Sequence, residues 1–219
     1  MDAAARVGQN PAAMSEPAQP PEFDVALRAA LWAGPDGLGD SSFHDIPAEA
    51  ALDLGPEEED PALALRRTAG MFATGVTIIT TRAGEQIHGM TANAFMSVSL
   101  APPLILISVD RRTKMCGLLH EGSRYGVSVL ASDQDALSDH FAGRAKPDAP
   151  EPRFALVHDT PLVEGALAHY VAAVQKSYWG GDHSLFLGRV EYAAHDAQAR
   201  PLLFHGGRYE QLHRAPDAA

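Results

Sequence analysis

Three stretches of this sequence concentrate side chains able to grip a ligand. Thr91, Asn93, Ser97 and Ser99 fall within MTANAFMSVS, and Asp110, Arg111, Arg112, Thr113 and Lys114 within DRRTK. Asp182 and His183 follow a Gly180-Gly181 pair at the mouth of a strand. Small hydroxyl and amide groups beside exposed backbone amides suit the rim of a planar heterocycle bearing carbonyls and ring nitrogens. Two arginines, a lysine and a threonine opening a helix suit a phosphate. Alone, the first run also reads as a polar strand edge and the second as a solvated helix start; together they point to a flat, phosphorylated ligand. The Asp-His pair reads either as a turn with its own local hydrogen bond or as a group aimed at a ligand.

Other chemistries have no carrier in the sequence. No GxGxxG joins a strand to a helix and no GxxxxGKS/T occurs, so neither a Rossmann site nor a P-loop is expected. Ser128 in YGVSVL lacks the second glycine of a nucleophile elbow. The ten histidines include no HExxH pair, so His88, His120, His158, His169, His195, His205 and His213 read as surface or strand histidines and no metal site is expected. Cys116 is the only cysteine, which excludes an intrachain disulfide and a cysteine-based zinc cluster.

The elements that must hold these groups alternate with period 2 over most of the chain. Strands are expected at 76–81, in two pieces over 87–100 with an irregular loop around Thr91–Phe95, and at 104–109, 124–131, 154–159, 166–179, 183–192 and 201–212. LILISV at 104–109 would put the MTANAF and DRRTK loops at opposite ends of one strand. Helices are expected from Pro61 to an end at Gly75, over 113–122 and over 133–143. Many strands, three short helices and no βαβ alternation argue for an antiparallel barrel.

With 219 residues, 46% of them hydrophobic, the chain is long enough for a full core. Its net charge of −11 is uneven: residues 1–60 hold 13 acidic and 2 basic residues, and the rest holds 15 of each. That segment also carries 7 of the 16 prolines, and reads as a partly flexible extension ahead of a domain at 61–219. The acidity argues against nucleic-acid binding. Without an apolar leader or a span of roughly 20 apolar residues, a cytoplasmic protein away from the membrane is expected.

At this point the residues resemble a family. AGMFATGVTIITT, GMTANAFMSVSLAPPLILISVDRRTK, the Phe-Ala at 141–142, PLVEGALAHY, GGDHSLFLGRV and PLLFHGGRY follow the flavin reductase-like family in order and spacing, over about residues 62–212. Its members are the short-chain reductase components of two-component flavin-dependent monooxygenases. The resemblance implies a mainly β fold, an antiparallel Greek-key split β-barrel with a few short helices, usually a homodimer with flavin near the subunit interface. It also implies reduction of FMN or FAD by NADH or NADPH, with reduced flavin passing to a partner monooxygenase. By position, Thr91, Ala92, Asn93, Ser97, Val98 and Ser99 would line the flavin ring and ribityl chain. Asp110, Arg111, Arg112, Thr113 and Lys114 would hold phosphate, with Thr113 and one arginine foremost. Gly181, Asp182 and His183 would face the nicotinamide, His183 in a positioning role without covalent chemistry. Ala94 and Met96 stand where the family usually carries hydroxyl residues, and Ser128 replaces a common Asn. A non-catalytic flavin carrier or sensor on the same barrel is the alternative.

Overall fold

The computed structural model describes residues 60–213; the extension expected at 1–60 lies outside the described residues except for Asp60. Helix α1 (Pro61–Gly70) starts where Asp60 accepts the Ala62 N–H at 2.9 Å and Pro61 occupies the first turn. It stops at Gly70 rather than Gly75. The Met71 and Phe72 N–H groups fold back onto Thr68 and Ala69 carbonyls, and Thr74–Gly75 (β1) is captured by a ladder to Leu202–His205 (β11). A tertiary pairing overrides the local helix signal there.

Seven strands form one antiparallel sheet: β2 (Thr77–Ala83), β3 (Gln86–Ala92), β4 (Phe95–Leu100), β5 (Pro103–Asp110), β6 (Arg124–Val129), β9 (Ala168–Gly180) and β10 (His183–His195). Their order is β3-β2-β6-β9-β10-β5-β4. The two outermost strands are therefore sequence neighbours, joined only by Asn93 and Ala94. Three residue steps reach at most roughly 11 Å, so the two edges must approach and the sheet must curl round on itself. No ladder joins β3 to β4, which leaves a barrel split along that seam. The interior confirms the curl. Ile79, Val127, Ala172, Val174, Phe186, Ile105, Ile107 and Val109 pack in one buried cluster, with Met90, Ala92 and Phe95 against it, so all seven strands contribute. The expected mainly β, antiparallel split architecture holds.

Smaller elements close the ends. Helix α2 (Lys114–Leu118) follows β5 and buries Met115. Helix α3 (Asp135–Phe141) lies on β3, where Phe141 sits so close to Gly89 that a Cβ would fall 2.7 Å from its ring. The hairpin β7 (Phe154–Val157) and β8 (Thr160–Val163) turns through His158 and Asp159 at positive φ. Strand β11 pairs with β12 (Arg208–Gln211), and Tyr209 reaches α3, donating to Ser138 Oγ at 2.8 Å.

Ser128 is fully buried and accepts the Val163 N–H at 2.9 Å, a tie between β6 and β8. Tyr125 is less well served. Its hydroxyl is buried with no hydrogen-bond partner among the described residues, and it presses on Gly188. Burial pushes the phenol's pKa well above its ordinary value. Tyr125→Phe is expected to stabilise the fold by about 1 kcal/mol, because a buried unsatisfied hydroxyl is removed. The shift in urea midpoint at unchanged slope measures it.

Candidate functional site

One end of the barrel gathers the three chemically equipped stretches. Strand β5 ends at Asp110, which lies opposite His183, the first residue of β10. The Ser108 N–H donates to the Ala94 carbonyl at 3.1 Å, which places the Asn93–Ala94 turn beside the same end of β5. The two loops expected at opposite ends of that strand are thus at one end. The reason is that β4 and β5 form a hairpin, with Phe95 against Ile107 and Leu100 against Pro103, so the strand before β5 returns its start to the end of β5.

The turn at 181–182 is a two-residue hairpin loop between β9 and β10. Gly181 has φ +69° and Gly180 pairs directly with His183, the pattern of a hairpin turn with glycine at its first central position. An alanine at 181 would be strained by roughly 1 kcal/mol. The Asp182 carbonyl accepts the Arg111 N–H at 3.0 Å, tying this turn to the DRRTK loop. His183 Nδ1 lies 2.7 Å from Asp182 Oδ1, and this hydrogen bond holds the Asp182 carboxyl below the usual carboxylate range. With Nδ1–H donated to the carboxylate, the neutral ring presents Nε2 as an acceptor. Asp182 therefore orients the imidazole.

The DRRTK loop is organised from within. Asp110 accepts the Arg112 backbone N–H at 2.8 Å, and the Arg112 guanidinium reaches both carboxylate oxygens, Nη2 at 2.6 Å. The guanidinium and backbone N–H of Arg112 hold the Asp110 carboxyl far below the ordinary range, and the Asp110 carboxylate in turn raises the Arg112 pKa. Thr113 caps α2: its hydroxyl donates to the Asp110 carbonyl at 2.7 Å and accepts the Cys116 N–H at 3.3 Å. A hydroxyl has one proton to give, and here Thr113 gives it to the Asp110 carbonyl. Arg112 is likewise engaged by Asp110. Arg111 and Lys114 are the loop's cations that form no carboxylate pair among the described residues. Lys114 nevertheless acts at a distance: burial first, then its charge, lowers the His88 pKa.

The remaining candidates divide along the split. Thr91 and Ala92 end β3, on opposite faces. Ala92 packs on the barrel interior, whereas Thr91 turns to α3 and donates its hydroxyl to the Ser138 carbonyl at 2.6 Å. Ser97 and Ser99 flank a bulge in β4 that leaves Val98 without a register partner. As an edge strand, β4 presents alternate N–H and C=O groups to the seam, donors and acceptors that fit the polar edge of a flavin ring. With the cations of DRRTK at the seam's end, the donor set fits a flavin phosphate as well.

Two residues at this end escaped the sequence reading. Tyr178 pairs with Leu185, two residues along β10 from His183, and so shares the face of His183. Trp179 carries the Arg111 guanidinium 3.4 Å from its ring centroid. Their signal was only their place just before Gly180-Gly181. Among the described residues, no group of three or more His, Cys, Asp or Glu is arranged to hold a metal, and no helix is long and apolar enough to cross a membrane.

The split antiparallel barrel is a fold shared with solved flavin reductases. The chain matches the flavin reductase like domain over residues 68–213 and belongs to that family. It is 47% identical over 168 residues to an NADH-dependent flavin reductase of a Rhodococcus species, covering 75% of this chain and 93% of that one. It is 37% identical over 149 residues to the reductase component of Thermus thermophilus 4-hydroxyphenylacetate 3-monooxygenase, covering 68% and 95%. Among solved structures it resembles the NADH:FAD oxidoreductase of Streptomyces globisporus in complex with NAD and FAD fragments. There the TM-score is 0.65 at 40% identity, over 75% of this chain and all of the other.

Proposed function

We propose that this protein is an NADH-dependent flavin reductase of the cytoplasm, which reduces FMN or FAD and supplies it to a flavin-dependent monooxygenase. The observation that carries this reading is the convergence of β4's edge, the DRRTK loop and the Asp182–His183 hairpin at one end of the barrel. The relatives' NADH dependence and their partnership with oxygenases support the rest.

Bound flavin and nicotinamide supply the hydride chemistry between themselves. The chain's own residues bind and align. Asn93, Ala94 and the β4 edge at Ser97, Val98 and Ser99 offer backbone donors and small side chains to a ring held along the seam. Arg111 and Lys114 meet the negative charge of a phosphate. Asp182 fixes the imidazole of His183, whose Nε2 would accept from the nicotinamide carboxamide and so help place the reacting ring. No side chain is required to give or take a proton as hydride moves.

A homodimer is part of the same reading. The outer face of β4, β5, β10 and β9 carries Met96, Leu104, Leu106, Leu185, Leu187 and Tyr178 next to Asp110 and His183, by register and alternation. A second copy is the occupant that family membership favours, and it would shield the site from water. Light scattering should give twice the monomer mass, and Leu106→Asp, placing a charge in that face, should give the monomer mass. Steady-state assay of NADH and NADPH oxidation, with and without FMN or FAD, tests the function: oxidation of NADH should depend on added or bound flavin. Flavin-independent oxidation, or none, contradicts it.

A further inference from the structure

Trp179 is 75% exposed, a large apolar surface left in water beside the proposed site. One face of its ring is taken by Arg111, with the guanidinium carbon 3.4 Å from the centroid. The cation is placed by the fold: the Arg111 N–H is bound to the Asp182 carbonyl, and Trp179 pairs with Ser184, which pairs in turn with Val109. A guanidinium so held over an indole desolvates one face of the ring and leaves the other for a second planar group.

Position narrows what that group is. Val109 points into the barrel core, so Ser184 and Trp179 share its face of the ladder. Asp110 and His183 lie on the other. The DRRTK loop runs between the two faces at the barrel end. A phosphate held by Arg111 would sit beside Trp179 without covering it, because Arg111 itself lies over one face of the ring; the groups that follow that phosphate are the ones able to reach the other face. The chemical group that lies beyond a flavin's first phosphate is a second phosphate, a ribose and an adenine. A purine stacks well on an indole, and stacking of this kind is worth roughly tenfold in affinity.

We propose that Trp179, backed by Arg111, is an adenine seat that makes the chain bind FAD in preference to FMN. This rests on the reading of the Asp110–Lys114 loop as the flavin phosphate site. An adenine is also present in NADH, so the test separates the two sources.

The experiment is isothermal titration calorimetry of the full chain with oxidised FAD, FMN and riboflavin, and with NAD and nicotinamide mononucleotide. Trp179→Ala is compared with Trp179→Phe. Trp179→Ala should weaken FAD about 10-fold more than it weakens FMN, and Trp179→Phe should retain most of the FAD preference. Equal changes for FAD and FMN would overturn the seat. Loss of NAD but not of nicotinamide mononucleotide, with the FAD-to-FMN ratio intact, would also overturn it, by giving Trp179 to the other dinucleotide. Riboflavin binding to the wild-type chain as tightly as FMN would overturn the phosphate loop beneath the proposal, a result distinct from either outcome at Trp179.

Discussion

His183→Ala should slow reduction of bound flavin about 10- to 100-fold and raise the KM for NADH, with flavin affinity kept. His183 Nδ1 is held 2.7 Å from the Asp182 carboxylate. That contact fixes the ring, and in the proposed reading Nε2 is the atom that would meet the nicotinamide. Removing the ring abolishes one positioning contact, and effects of this size are usual when a reactant is held less well without loss of a reacting group. Asp182→Asn should go the same way but less far, because an amide still keeps the hairpin turn while losing the charge that selects the tautomer. Anaerobic stopped-flow reduction, beside an equilibrium flavin titration, separates the two effects. A variant reduced at the wild-type rate at every NADH concentration would return His183 to a structural place in the turn.

The second large effect concerns the phosphate. Arg111→Ala with Lys114→Ala should weaken FMN about 100-fold while changing riboflavin little. Charge-assisted contacts contribute about 1.5–3 kcal/mol each, so two of them account for such a loss. Arg112→Ala should weaken FMN less, since Arg112 is already forked onto Asp110. Its main consequence would be a looser loop. Fluorescence titration with FMN and riboflavin provides the comparison. Equal losses for both ligands would make the loop a solvated surface, and a larger loss from Arg112 than from the Arg111 and Lys114 pair would reverse the assignment.

Much of this was legible in the sequence because it is written in local pattern. Short runs of β-branched and apolar residues at TIITT and LILISV, and the interleaving over HSLFLGRVEY, mark strands whose inward residues, Ile79, Ile107 and Phe186 among them, build the barrel core. The Gly180-Gly181 pair marked a hairpin, and ordered motifs marked the family. What stayed hidden depends on pairing between distant strands. Nothing local says that Thr74–Gly75 leaves the helix to join Phe204 and Leu203. Nor does the spacing of MTANAF and DRRTK reveal that a β4–β5 hairpin brings both to one end. Side-chain commitments were equally out of reach. Thr91 donates to Ser138, and Thr113 to Asp110. Both hydroxyls looked available until their partners across loop and helix were in place. Trp179 was invisible for the same reason, since only the fold lays Arg111 upon it.

As a reductase, this barrel brings nicotinamide and flavin together for hydride transfer and does not merely carry flavin. Anaerobic mixing of the flavin-loaded full-length protein with NADH tests it most directly. The flavin's visible absorbance should bleach in a single turnover, at a rate that saturates with NADH concentration. Flavin that binds yet stays oxidised at saturating NADH would contradict the claim and leave a flavin carrier on a reductase fold.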